Sequence, residues 1–144
     1  MSADASIAFT RNYQKNIPFV AHLGLTTEAL GEGTARLSMP LPQHFTNSLG
    51  TAHGGVIMSL LDVALCTAAR TLHPDSTGVV TIDMSTSFIG GGSGDRLIAE
   101  GFVVKSGRTL SITRGEVHAE RNGTRTLVAL MQQTLLVMHG KRDA

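Results

Sequence analysis

The sequence predicts an α+β domain in which a curved antiparallel sheet wraps one long central helix. Three observations lead there. Val56 to Ala69 is apolar on nearly every side, interrupted only by Ser59, Asp62, Cys66 and Thr67, and a helix hydrophobic all round is a buried one. One strand-like segment precedes that helix and four follow it. The links Ser106-Gly107-Arg108 and Asn122-Gly123 are tight-turn chemistry; Asn-Gly is the strongest short hairpin signal, and consecutive hairpins make an antiparallel sheet. A single apolar helix beside such a sheet is hidden only if the sheet curls around it.

In chain order, residues 1–8 read as a loose end. Phe9 to Leu23 fits a short helix, with Phe9, Tyr13, Ile17 and Val20 at helical spacing and Pro18 as an interruption. Thr34 to Leu41 alternates, placing Ala35, Leu37, Met39 and Leu41 on one face of a strand. Pro40 and Pro42 end it, and Gln43 to Ala52 is a loop. The central helix runs from about Gly54 to Leu72, roughly 28 Å long, and His73-Pro74-Asp75 stops it. Gly78 to Phe88 alternates, with Thr81, Asp83, Ser85 and Ser87 opposite Val80, Ile82, Met84 and Phe88. Gly90 to Gly94 lacks the G-K-[ST] of a phosphate-binding loop and reads as a flexible turn. Strands follow at Arg96 to Lys105, Leu110 to Arg121 and Arg125 to Met138, and Lys141 to Ala144 is a solvated tail.

Length and composition bound the function. The 144 residues fit one domain spanning residues 1–144, with its core over about 20–138. Hydrophobic residues make up 42% and charged residues 16%, so the chain has enough apolar surface to fold. Twelve basic against eleven acidic residues, without a basic stripe, point away from a nucleic-acid partner. A lone cysteine, and no apolar run in Met1 to Thr10, fit a cytoplasmic protein. The longest apolar run has Asp62 at its centre and falls short of the roughly twenty residues a membrane span needs.

Asp62 is the contradiction in this pattern: a carboxylate in the middle of an apolar rod. Burial disfavours the charged form of a carboxylate unless a partner or the helix field compensates, and buried carboxylates are rare without a use. Gly55, Ser59, Asp62 and Cys66 fall on one small, polar stripe of the helix. At the helix start, His53-Gly54-Gly55 offers backbone N–H groups free of side-chain obstruction where the dipole favours negative charge. Such a spot suits a carboxylate, a phosphate or the oxyanion of an acyl transfer; close packing at the helix start explains the glycines equally well. Gly54 and Asp62 lie roughly 12 Å apart along the axis, too far to reach one reacting group. If both act, Asp62 must meet Gly54 of a second copy. Asn47 reads from spacing alone as a turn residue. The six histidines lack metal-ligand spacing, so no metal is expected, and Cys66 reads as a small core residue.

Asn47, Gly50, His53, Gly54, Gly55 and Asp62 spell N-x-x-G-x-x-H-G-G-x6-D, which resembles the signature of hotdog-fold acyl-CoA thioesterases of the phenylacetate-degradation (PaaI-like) group. The resemblance extends over about residues 20–138 and includes VVTIDMSTSF and the turn Gly107-Arg108-Thr109. It implies that the Gly54 N–H polarises a thioester carbonyl and that Asp62 of the partner acts as general base or nucleophile. Asn47 and His53 would orient the thioester or water, Thr81 and Gly55 would position water or substrate, and Arg108 would meet the CoA phosphates. It implies no cofactor, CoA being part of the substrate, and a homo-oligomer: a dimer with a shared site, in a dimer of dimers. Thr81 stands where serine is commoner, and the loop IGGGSG departs from the family's basic, proline-containing loop. The resulting expectation is a thioesterase acting on small, medium or aryl acyl-CoA. A hotdog dehydratase or hydratase, using His53 and Asp62 as an acid–base pair, and a non-catalytic acyl-CoA-binding protein are the alternatives.

Overall fold

The computed structural model describes residues 2–140. Helix α1 (Ala3–Lys15) opens the chain, followed by α2 (Pro18–Leu23), β1 (Thr26–Gly31), β2 (Thr34–Pro40) and the central helix α3 (Gly54–Thr71). Four strands complete it: β3 (Gly78–Phe88), β4 (Arg96–Ser106), β5 (Leu110–Arg121) and β6 (Thr124–Met138). The six strands form one antiparallel sheet in the order β1-β2-β4-β5-β6-β3. The expected α+β hotdog architecture is present, with α3 touching all six strands.

The sheet and α3 bury Leu37, Met39, Leu60, Leu61, Leu65, Leu97 and Val117 almost completely. The helix lies unusually close where Gly101 and Gly115 face each other across β4 and β5. A Cβ on Gly101 would sit 2.7 Å from Leu65 Cδ2, and one on Gly115 would sit 2.7 Å from the Glu100 carbonyl oxygen. These two positions lack side chains because Leu65 occupies their space. Gly115→Ala is therefore expected to lower stability by about 1–3 kcal/mol, as overpacking of a filled core does. Urea denaturation measures it, and a midpoint equal to that of the wild type would contradict the packing argument.

Four expectations need correction. Of the expected loose end at 1–8, the described residues 2–8 are helical or cap a helix: the Ser2 hydroxyl accepts from Ala5 N at 3.2 Å and starts α1. The helix expected over 9–23 is two, broken at Asn16 and Ile17, with Pro18 in the first turn of α2, where its missing N–H costs nothing. The sheet has a sixth strand, β1, joined to β2 by the turn Glu32-Gly33, with Gly33 at φ +76°. The Gly90–Gly94 loop is not a free turn. It is pinned by Ala52 N donating to the Gly92 carbonyl and by Ile89 and Gly90 N–H groups on Val128 O. Gly90, Gly92 and Gly94 approach Leu127, Ala52 and Glu120 too closely for side chains. The expected tail at 141–144 lies outside the described residues.

The two sheet edges are treated differently. Helix α1 covers β1: Arg11 Nε donates to Thr27 O at 2.7 Å, and the buried Gln14 side chain links Thr27 to Thr67 of α3. The other edge, β3, is eleven residues long and has no strand beside it on its outer side among the described residues. It also exposes Val80, Ile82 and Phe88 by about half. Nor is α3 enclosed on every side within one chain, as its sequence suggests. Leu60, Leu61, Ala64 and Leu65 are fully buried, whereas Met58, Ser59, Asp62, Val63 and Cys66 are only half-buried. By length and composition α3 is apolar enough to cross a membrane, but its buried face is the core of the domain.

Candidate active site

Two groups of residues lie on α3, one at its start and one halfway along it. At the helix start, His53 is the N-cap, and its Nδ1 accepts the Gly55 N–H at 2.9 Å. A Cβ on Gly55 would stand 3.1 Å from that nitrogen, so glycine makes room for the cap. With Nδ1 accepting, the neutral imidazole carries its proton on Nε2. Val56 and Ile57 N–H groups both go to the His53 carbonyl. The Gly54 N–H is left without an acceptor among the described residues, at the positive end of an eighteen-residue helix.

The loop before the helix is held by Asn47. Its Oδ1 accepts from Leu49 N (2.9 Å), Thr51 N (3.2 Å) and the Thr51 hydroxyl, while Nδ2 donates to Thr51 Oγ1 at 3.0 Å. This is an Asx-type turn, as spacing alone predicts. The pinned glycine loop touches the same segment through Ala52 and Thr51. Together they fix where Gly54 presents its N–H.

Farther along α3, Asp62 is half-buried and has three donors on one oxygen. The Thr81 hydroxyl donates to Oδ1 at 2.7 Å, the Gln133 amide Nε2 donates to the same atom, and the Cys66 thiol lies 3.8 Å from it. Gln133 Nε2 also contacts the Thr81 hydroxyl. No donor reaches Oδ2 among the described residues. The carboxylate is thus anchored by one oxygen and free at the other. Burial, reinforced by the neighbouring Asp62 charge, pushes the Cys66 thiol up to about 12, so it stays protonated at neutral pH and is not a nucleophile.

Alternation places Thr81 on the same face as Asp83, Ser85 and Ser87, and that is wrong. A β-bulge between Thr81 and Asp83 shifts the register by one residue. One residue of slip reverses which face a side chain meets. Thr81 therefore points to α3, whereas Ser85 and Ser87 line a hollow on the outer face with Arg114 and Glu116. Beyond the bulge, the Phe88 ring reaches the start of α3, 3.4 Å from where a Gly54 Cβ would sit.

Gln133 is the site residue that sequence reasoning misses. It is fully buried, and its Oε1 has no hydrogen-bond partner. A buried amide half satisfied is costly, and here its satisfied half holds Asp62. Arg108 sits apart on the β4–β5 turn, exposed, its carbonyl accepting from His139 Nε2 at 2.7 Å. No cluster of metal-ligating side chains occurs among the described residues. The structure therefore joins Asp62 to Thr81 and sets His53, Gly54 and Gly55 together at the helix start, with the Asn47 side chain bonded within its own turn to Leu49 and Thr51, but it does not bring the two groups together within one chain.

The sequence matches the profile of the Thioesterase superfamily over residues 49–126. A Halobacterium salinarum protein with an inferred esterase assignment is 32% identical over 115 residues, covering 76% of each chain. The crystal structure of a thioesterase family protein from Silicibacter pomeroyi superposes with a TM-score of 0.86 at 30% identity, covering 94% of this chain and 97% of that one. The E. coli PaaI protein of the phenylacetic acid degradation operon shares the fold, with a TM-score of 0.82 at 22% identity over 97% of this chain and 99% of that one.

Proposed function

The chain belongs to the thioesterase superfamily, a hydrolase family, and on that premise we propose that it hydrolyses small, medium or aryl acyl-CoA thioesters in a site shared between two copies. The observation that carries this reading is the Asp62 carboxylate, anchored through Oδ1 by Thr81 and Gln133 with Oδ2 left open. An anchored carboxylate with one free oxygen is what a general base toward water requires.

The complementary need is a donor for the carbonyl oxygen, and the unsatisfied Gly54 N–H supplies it. Roughly 12 Å of helix separates the two within one chain, so Gly54 must come from a second copy. The uncovered β3 edge and the half-exposed flank of α3 give that copy its place, since an unpaired apolar edge invites pairing. In this arrangement Asp62 Oδ2 takes a proton from water as its oxygen attacks the thioester carbon. The carbonyl oxygen becomes an oxyanion held by the neighbouring Gly54 N–H. Collapse breaks the C–S bond, and the CoA thiolate takes the proton back from Asp62. His53 Nε2–H and Asn47 shape the surface around Gly54, and exposed Arg108 offers its guanidinium to the CoA phosphates. The neutral Cys66 takes no part.

The test is CoA release from a panel of thioesters running from acetyl through phenylacetyl and hydroxybenzoyl to long-chain. Turnover of at least one small, medium or aryl ester supports the reading, and none across the panel overturns it. Gln133→Met keeps side-chain length and deletes the donor. It is expected to lower kcat about tenfold, the worth of one such hydrogen bond, while the melting temperature holds or rises because an unsatisfied buried oxygen is removed. An unchanged kcat would show that Gln133 does not position Asp62.

A further inference from the structure

The geometry points to an acyl group that ends in a carboxylate: we propose that Arg70 reads the far end of the substrate and that the enzyme prefers ω-carboxyacyl thioesters to their apolar counterparts of equal length. The inference rests on the hydrolase reading above.

Its basis is the groove into which Asp62 opens. This groove, of about 870 Å³, runs between α1 and α3, within the size range of small-molecule sites. Phe9, Tyr13 and Ile17 wall one side, and Val63, Asp62 and Arg70 belong to the other. Asp62 and Arg70 lie about two turns apart on the helix, roughly 12 Å between their Cα atoms. Both side chains line the groove, and helical side chains lean toward the helix N-terminus, which for Arg70 is the Asp62 side. The Arg70 charge is felt at Cys66, which lies between them on the helix. An acyl chain of several carbons lying along the groove with its thioester at Asp62 brings its far end toward Arg70, a reach that acetyl lacks.

Arg70 is held but not neutralised. Its guanidinium stacks over the Tyr13 ring at 4.5 Å from the centroid, and Nη1 donates to the Tyr13 hydroxyl at 3.0 Å. No carboxylate forms an ion pair with it among the described residues. The other charged or titratable groups on the groove wall are Glu32, exposed in the β1–β2 turn, and His73, whose Nε2 is bonded to Ser106. Arg70 would serve the helix dipole equally well from solvent. Instead an aromatic stack fixes it on the groove wall with most of its fork unused, and a rigid fork with free N–H groups matches a carboxylate.

The experiment compares kcat/KM for adipyl-CoA and hexanoyl-CoA in the wild type, Arg70→Leu and Arg70→Lys. The wild type is expected to favour adipyl-CoA. Arg70→Leu is expected to reduce the adipyl-to-hexanoyl ratio by about 10- to 100-fold, the loss of a charged hydrogen-bonding partner, and Arg70→Lys to restore part of it. Equal use of both esters by the wild type, or a ratio untouched by Arg70→Leu, overturns the inference while leaving the hydrolase reading intact. Failure of the wild type on both esters overturns the inference. If it extends to the whole thioester panel, the hydrolase reading falls as well.

Discussion

Asp62→Asn is expected to lower acyl-CoA hydrolysis by about 10²–10⁴-fold, the range contributed by a positioned acid or base, while the protein stays folded and associated. Asparagine occupies the same volume, and its Oδ1 still accepts from Thr81 and Gln133, the two donors that anchor the native side chain. What it lacks is a basic second oxygen: the open Oδ2 position becomes an amide that donates. The variant therefore separates chemistry from packing better than alanine, which would take from the buried Gln133 and from Thr81 the carboxylate oxygen that both donate to. Steady-state CoA release with a thermal melt as control measures it. Wild-type turnover would remove Asp62 from the mechanism.

Gly54→Pro is expected to cost about 10²–10³ in kcat, the effect of losing one oxyanion donor. Proline is the substitution that tests the N–H itself. Gly54 is the first residue of α3, the one helical position where proline's missing donor and fixed φ are tolerated. His53 before it has φ −63° and ψ 137°, the extended conformation that a following proline demands. The nearest side chain is the Phe88 ring, at ordinary contact distance from a new Cβ. Folding should thus survive, and kcat should fall with little change in KM for a group felt mainly in the transition state. A Gly54→Pro enzyme with undiminished kcat would show that the carbonyl is polarised elsewhere.

Much of the fold is legible in the sequence because its signals are local. The apolar run from Val56 to Ala69 marks α3, and Asn122-Gly123 marks the β5–β6 hairpin. Strand β1 is not legible: Thr26 to Gly31 shows no apolar alternation, pairs on one side only, and is bulged near Glu28. Its only local sign is Glu32-Gly33, a two-residue turn with glycine at positive φ. Helix α1 is signalled by Ser2 as cap and Asp4 in the first turn, which an apolar-spacing criterion starting at Phe9 passes over. Within the site, Asp62 and Gly54 stand out because each breaks or ends the apolar rod. Thr81 is assigned to the wrong face because a bulge is a tertiary event, invisible to a period-two pattern. Gln133 is missed for a related reason: it follows Gln132 in a strand and reads as solvated, yet its partner Asp62 lies seventy-one residues earlier.

That Asp62 and Gly54 serve one site from two chains is tested most directly by co-expressing differently tagged Asp62→Asn and Gly54→Pro chains and purifying the hybrid. Each hybrid pairs a native Asp62 with a native Gly54 at one of its two sites and two altered residues at the other. Two nearly inactive variants are expected to yield a hybrid with about half the wild-type activity per dimer, as two-fold symmetry of a shared site requires. A hybrid no more active than its parents would place the whole site within a single chain.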